Sequence, residues 1–120
     1  MDYKNRLLDF WGYIPSFHDD DIVRIMLENG VLLLDIKTTT NQVLHPKDIC
    51  EKYEFVYTTL KFKNANINTI SVDNAGLMIG RLSYSKTEPG YVCHVHGVMG
   101  KMEFSFTELT DIIISTRNRK

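Results

Sequence analysis

Cysteine is scarce in this chain: Cys50 and Cys93 are the only two among 120 residues. Two thiols make no disulfide framework, so the sequence points to a reducing compartment, the cytoplasm, rather than to a stapled secreted fold. An excess of either charge is also missing. Fourteen basic against fifteen acidic residues leave a formal net charge of −1, too little for an electrostatic account of binding to nucleic acid or an anionic membrane. Apolar runs such as 31–34 and 112–114 fall far below the roughly 18 residues of a spanning helix. The start, Met1-Asp2-Tyr3-Lys4, carries no signal-peptide core and no lipidation motif. The chain also lacks a G-x-S-x-G elbow, a glycine-rich phosphate loop and a C-x-x-C pair. Nucleophile-centred chemistry therefore finds no foothold, and no cofactor is implied. There is no βαβ rhythm, no repeat of solenoid length and no low-complexity linker.

What is present is the profile of one globular domain over 1–120, with 43% apolar and 24% charged residues. A chain of this size buries roughly two-thirds of its unfolded surface, enough to fold without staples. Asp2 can cap a short helix over 3–11, which Gly12 would end, with Tyr3, Leu7, Phe10 and Trp11 at helical spacings. Pro15 then forces Ile14 out of helical geometry, and 16–20 reads as an irregular approach to a strand.

The pair Asn29-Gly30 is the preferred centre of a two-residue type I′ hairpin. That register sets Leu27 against Leu32, Ile25 against Leu34 and Val23 against Ile36, and it opposes Arg24 to Asp35 on the other face. A one-residue slip would scramble both faces. Residues 41–52 read as a long connection with a helical turn after Pro46, and 53–62, aromatic and β-branched, as a strand. A turn at 63–66 leads to a short segment marked by Ile67, Ile70 and Val72, which a break at 73–76 closes. The last third is a predicted meander of strands at 77–86, 91–96 and 101–106, with turns at 87–90 and 97–100. Pairing the last two sets Cys93 against Phe104, Val95 against Met102 and Tyr91 beside Phe106. Either of two registers across the first turn, Tyr84 opposite Cys93 or opposite Val95, adds Leu82 and Tyr84 to that apolar face. Arg81, Ser83, Ser85, His94, His96, Lys101, Glu103 and Ser105 share the other, solvated face, as an antiparallel sheet allows. A final strand at 112–116 precedes a basic tail. The expected fold is mainly β, an antiparallel sandwich or open barrel of about seven short strands with one short N-terminal helix.

Two clusters carry ionisable chemistry. His94-x-His96 sends both imidazoles to one face, and the register places Glu103 opposite His94. These are acceptable ligands for zinc or non-haem iron, and they superficially resemble the cupin ligand set. The last cupin histidine is absent, the glycine and proline spacing differs, and Arg81 and Lys101 on the same face oppose a divalent cation. The favoured expectation is a polar binding face of Arg81, His94, His96 and Glu103, with Glu103 pairing His94 across strands and no metal. The second cluster is His18-Asp19-Asp20-Asp21. It has no calcium-loop pattern, so His18 is expected to tie down the turn, with Asp20 and Asp21 exposed. Cys93 is expected to be an inert core thiol. Tyr53, Phe55 and Tyr57 have Glu51 and Glu54 among their neighbours, which speaks against a base-stacking platform. Charge is uneven: 1–60 hold 6 basic and 10 acidic residues (−4), and 61–120 hold 8 and 5 (+3). Acidic residues around Asp9, Asp19, Asp20 and Asp21 would steer a basic protein partner.

The string Tyr13-Ile14-Pro15-Ser16-Phe17-His18-Asp19-Asp20-Asp21-Ile22-Val23-Arg24-Ile25 resembles the opening of immunity protein family 50 of bacterial polymorphic toxin systems. There a short helix leads to a proline, a Ser-Phe-His-Asp motif and a hydrophobic strand. Leu60-Lys61-Phe62 followed by Asn66-Ile67-Asn68-Thr69-Ile70-Ser71-Val72 is similar to that family's strand-turn-strand cadence. So is the order of 91–95, Gly100 and 103–106. After Val72 the chain departs from the family's Asn-rich stretch and keeps only Asn74. The resemblance implies a non-catalytic cytoplasmic protein that binds and neutralises a cognate toxin. Ser16, Phe17, His18 and Asp19 match the motif and are expected to organise the helix-to-strand corner. The alternatives are a metal-binding module or small metal-dependent enzyme using His94, His96 and Glu103, and a β domain holding a small ligand inside an open barrel. Exposed sheet edges leave a homodimer open.

Overall fold

The computed structural model describes residues 4–72, 77–87, 90–97 and 100–118. The fold is mainly β. Helix α1 (Lys4–Trp11) precedes β1 (Asp21–Glu28) and β2 (Val31–Thr39); α2 (Lys47–Lys52) then leads to β3 (Tyr53–Lys63) and β4 (Asn66–Val72). The remaining strands are β5 (Leu77–Lys86), β6 (Tyr91–Gly97), β7 (Gly100–Phe106) and β8 (Glu108–Asn118). All eight form one antiparallel sheet in the order β4-β7-β6-β5-β1-β2-β3-β8. The sheet stays open, with β4 and β8 as its edges, and folds back on itself as a sandwich does.

Trp11 and Leu7 bury one side of α1, and Gly12 ends the helix in the left-handed region (φ 83°), donating its N–H to Leu8 O at 2.8 Å. The predicted cap Asp2 lies outside the described residues, as do the turn positions 73–76, 88–89 and 98–99. The turn after Pro46 is a true six-residue helix that buries Ile49 and Cys50.

The hairpin holds its expected register from Glu28–Val31 back to Arg24–Asp35, with Asn29 and Gly30 at φ 53° and 77°. A type I′ turn needs positive φ at both positions. Arg24 Nε reaches Asp35 Oδ2 at 2.7 Å. Beyond Arg24 the expected pairing fails: the register shifts, and Ile22, not Val23, faces Ile36. A bulge inserts one residue, so Ile22 turns into the core and Val23 is 51% exposed. Strict alternation on β2 buries Leu32, Leu34, Ile36 and Thr38.

In the meander, β6 and β7 pair as expected, Cys93 with Phe104 and Val95 with Met102. Tyr84 pairs with Cys93, the first of the two registers. Tyr84 is nonetheless 60% exposed, because it meets Tyr91 edge-on at the margin of the apolar face. The last strand runs over Glu108–Asn118, longer than the expected 112–116, because it pairs β3 along nearly its whole length. The two halves of the sheet meet through two β1–β5 pairs, Asp21–Met78 and Ile22–Leu77. Across the fold-back, Phe62 packs edge-on against Phe104 at 4.8 Å and Phe106 at 4.7 Å.

Candidate functional site

Ser16, Phe17, His18 and Asp19 form the corner between α1 and β1. Phe17 and Asp19 both adopt positive φ, 60° and 66°. This is tolerable for Asp but costly for a bulky residue, and it persists only where the surroundings over-determine it. Here they do. The Phe17 ring is buried, and Phe17 O accepts from Asp20 N at 3.0 Å. Asp19 N donates to Ile79 O and Ile79 N to Asp20 O, each at 2.7 Å. Ser16 Oγ accepts from His18 N at 3.3 Å. His18 Nδ1 lies 2.7 Å from Gly80 O; a carbonyl only accepts, so Nδ1 carries the proton. His18, Asp19 and the following Asp20 thus rivet the corner to β5 and extend the thin β1–β5 seam, while Ser16 and Phe17 brace the corner from within.

Behind the corner lies a cleft of about 240 Å³, walled by Trp11, Tyr13, Phe17, Thr38, Leu44 and His45, with Asp20 in its lining. A second hollow of about 250 Å³ adjoins it, shares His18, Asp20, Leu44 and His45, and adds Asp19 and Asp21. Asp21 is exposed as expected, but Asp20 is half-buried, because Thr38 on the inner face of β2 donates to Asp20 Oδ2 at 2.7 Å and draws it in. Burial pushes the Asp20 carboxyl above its ordinary range; the Thr38 hydrogen bond and the nearby His45 oppose that, and Asp21 and Asp19 add to it. Burial, with the Asp20 charge next, also raises the Tyr13 phenol. Asn41 builds the opposite rim. Its backbone N–H donates to His45 Nδ1 and its Oδ1 accepts from Val43 N, both at 2.8 Å. His45 Nδ1 therefore accepts and Nε2 holds the proton, and the ring packs on Trp11 at 5.4 Å. Trp11 is deeply buried, and its Nε1 has no acceptor among the described residues.

The predicted polar face also assembles. His94 Nδ1 lies 3.1 Å from Glu103 Oε1, and Glu103 Oε2 accepts from Asn68 Nδ2 at 3.3 Å. The His94 and His96 rings lie near-parallel with centroids 6.4 Å apart. Arg81 pairs with His96 from β5, and Lys101 pairs with it from β7. Among the described residues no three His, Cys, Asp or Glu side chains gather as a metal-binding group. A metal here would compete with Asn68 and with the His94–Glu103 contact for the same atoms. Cys93 is fully buried and its thiol is pushed up to about 12 by desolvation, which keeps it from forming a thiolate.

The cleft was hidden from sequence reasoning because Trp11 and Tyr13, Thr38 and His45 come from three separate stretches. One signal pointed to it: Thr38 continues the inward alternation of Leu32, Leu34 and Ile36, so a hydroxyl sits where a methyl would be expected. No helix among the described residues is long and apolar enough to cross a membrane. Compared with models of protein families, with curated proteins and with solved structures, the chain matches none of them.

Proposed function

We propose that this chain is an immunity-type protein that binds and neutralises a cognate bacterial toxin in the cytoplasm through a non-catalytic protein–protein interface. The observation that carries the reading is the Ser16-Phe17-His18-Asp19 corner. The motif that resembles the immunity family spends its hydrogen bonds on Ile79, Gly80 and its own backbone. A corner-forming motif behaves in this way: the Asp19 backbone and His18 Nδ1 are committed to β5, while the His18 and Asp19 side chains stay 63% and 62% exposed. Inhibition of this kind rests on shape and charge complementarity over roughly 800 Å² per partner, with a few anchors dominating.

The test is co-expression with the toxin encoded by the neighbouring gene, read as growth protection and as co-purification of a stable complex. Protection together with a complex is expected. A toxin that neither binds nor is restrained overturns the reading.

A further inference from the structure

We infer that the cleft between the 13–20 corner and the 41–45 rim is an anchor pocket for an arginine side chain of the protein partner, its guanidinium on Asp20 and its stem against Tyr13. The inference rests on the binding role proposed above and names the chemistry of the partner's contact. Asp20 supplies the first argument. Thr38 is its carboxylate's one hydrogen-bond donor among the described residues, and that donor uses Oδ2, so Oδ1 is left to accept. A carboxylate held half-buried in this way gains most from a charge-assisted donor.

The walls supply the second argument. Tyr13, 37% exposed, borders the cleft over the buried Trp11, and a guanidinium can donate to a carboxylate while stacking on an aromatic ring, which a compact, strongly hydrated ammonium does less well. Asp19 and Asp21 line the adjoining hollow and strengthen the negative field. The lysine bordering that hollow, Lys37, holds its Nζ 4.0 Å over the Phe55 ring.

The rim supplies the third argument, and it selects a protein rather than a small cation. Leu44, 62% exposed, and Tyr13 meet at the edge of the cleft, Tyr13 OH donating to Leu44 O at 3.4 Å. A buried charged anchor ringed by apolar side chains that exclude water is the anatomy of a protein–protein hot spot.

The chain has one tryptophan, so the indole fluorescence and the indole N–H resonance of Trp11 report on the cleft alone. Titration with N-acetyl-arginine amide is expected to shift both saturably, with the uncharged isostere N-acetyl-citrulline amide giving no saturable shift. Asp20→Asn should weaken arginine binding by about tenfold or more. Tyr13→Ala, at an exposed position, should weaken it too, and it keeps the test decisive if Asp20→Asn does not fold. The inference is overturned if arginine gives no saturable shift, if citrulline matches it, if a folded Asp20→Asn or Tyr13→Ala protein binds unchanged, or if tetramethylammonium binds tighter than arginine. The titration needs no toxin, so a silent cleft sinks this inference alone, and an arginine-binding protein that fails to protect sinks only the immunity reading.

Discussion

Asp20 concentrates the tension between stability and binding at a single residue. Its carboxyl is held above the ordinary value of 3.8, chiefly by burial, so the folded chain binds that proton more tightly than the unfolded chain does. Below the ordinary value both states are protonated and the group makes no difference. As pH rises above it, the unfolded chain ionises first and stability falls; above the raised folded value the full cost remains. Asp20→Asn removes the ionisation and can still accept from Thr38. Its stability relative to the natural chain should therefore increase with pH from about 4 upward and then level off. Urea unfolding across a pH series measures this, and a difference that shrinks with pH would contradict the assigned cause. A residue that weakens the free protein at neutral pH while lining a cleft fits a group kept for binding. Cys93 lies at the other extreme, buried with its thiol near 12. At pH 8 a thiol reagent should leave it untouched in the native protein and label it once the chain is unfolded, as mass spectrometry of the modified peptide would show.

At the scale of elements, close approach of backbones governs the meander. A Cβ built on Gly90 would lie 2.2 Å from Phe106 O and 2.9 Å from the Thr107 Cα. Both neighbours are main chain, so no side-chain rotation relieves the clash. Gly90→Ala should destabilise by several kcal/mol, on the order of the larger single-residue effects, and it should loosen the β6–β7 pairing first. Loss of amide protection at Cys93 and Val95 in hydrogen exchange, exceeding that on β2, is the expected readout. The element scale also marks how far the sequence could be read. Asn29-Gly30 and the opposed Arg24 and Asp35 carry their own register, and so does the Tyr91–His96 pairing, because turn chemistry and alternation are local. The bulge at Val23 was not legible. Its cause is that the corner at 16–20 binds Ile79 and Asp21 pairs Met78, which commits Ile22 to the core from outside the hairpin. The predicted polar face of Arg81, His94, His96 and Glu103 was readable for the same local reason as the strands that carry it. The cleft was not, since no local pattern brings Trp11, Thr38 and His45 together. Strand order was equally silent: β4 leaves β3 and crosses to β7, and a pairing between strands far apart in sequence leaves no periodic trace.

The whole molecule is two four-stranded halves, β8-β3-β2-β1 and β5-β6-β7-β4, joined in the sheet by two residue pairs and across the core by aromatic rings. Whether such halves unfold together depends on which link is stronger. The seam contributes little backbone pairing, even with the corner's two bonds to Ile79 added. The apolar contact is larger: Phe62, from the end of β3, touches Phe104 and Phe106 of the other half, and Ile79 and Ile22 are buried within the same continuous core. Cooperativity therefore lives in the core rather than in the ladder. Removing a buried phenylalanine ring costs about 3–5 kcal/mol, a large share of the roughly 5–15 kcal/mol that holds a domain folded. Trp11 fluorescence reports on the first half through α1, and far-ultraviolet circular dichroism reports on all eight strands. In the natural chain the two signals should trace one denaturant transition. In Phe62→Ala both midpoints should fall together by an amount matching that cost, because α1, β3 and the β6–β7 hairpin share one cluster. Two separated transitions in the natural chain would show that the halves are independent units and that the aromatic junction does not couple them. Separation only in the variant would show that Phe62 alone had been holding one cooperative unit together.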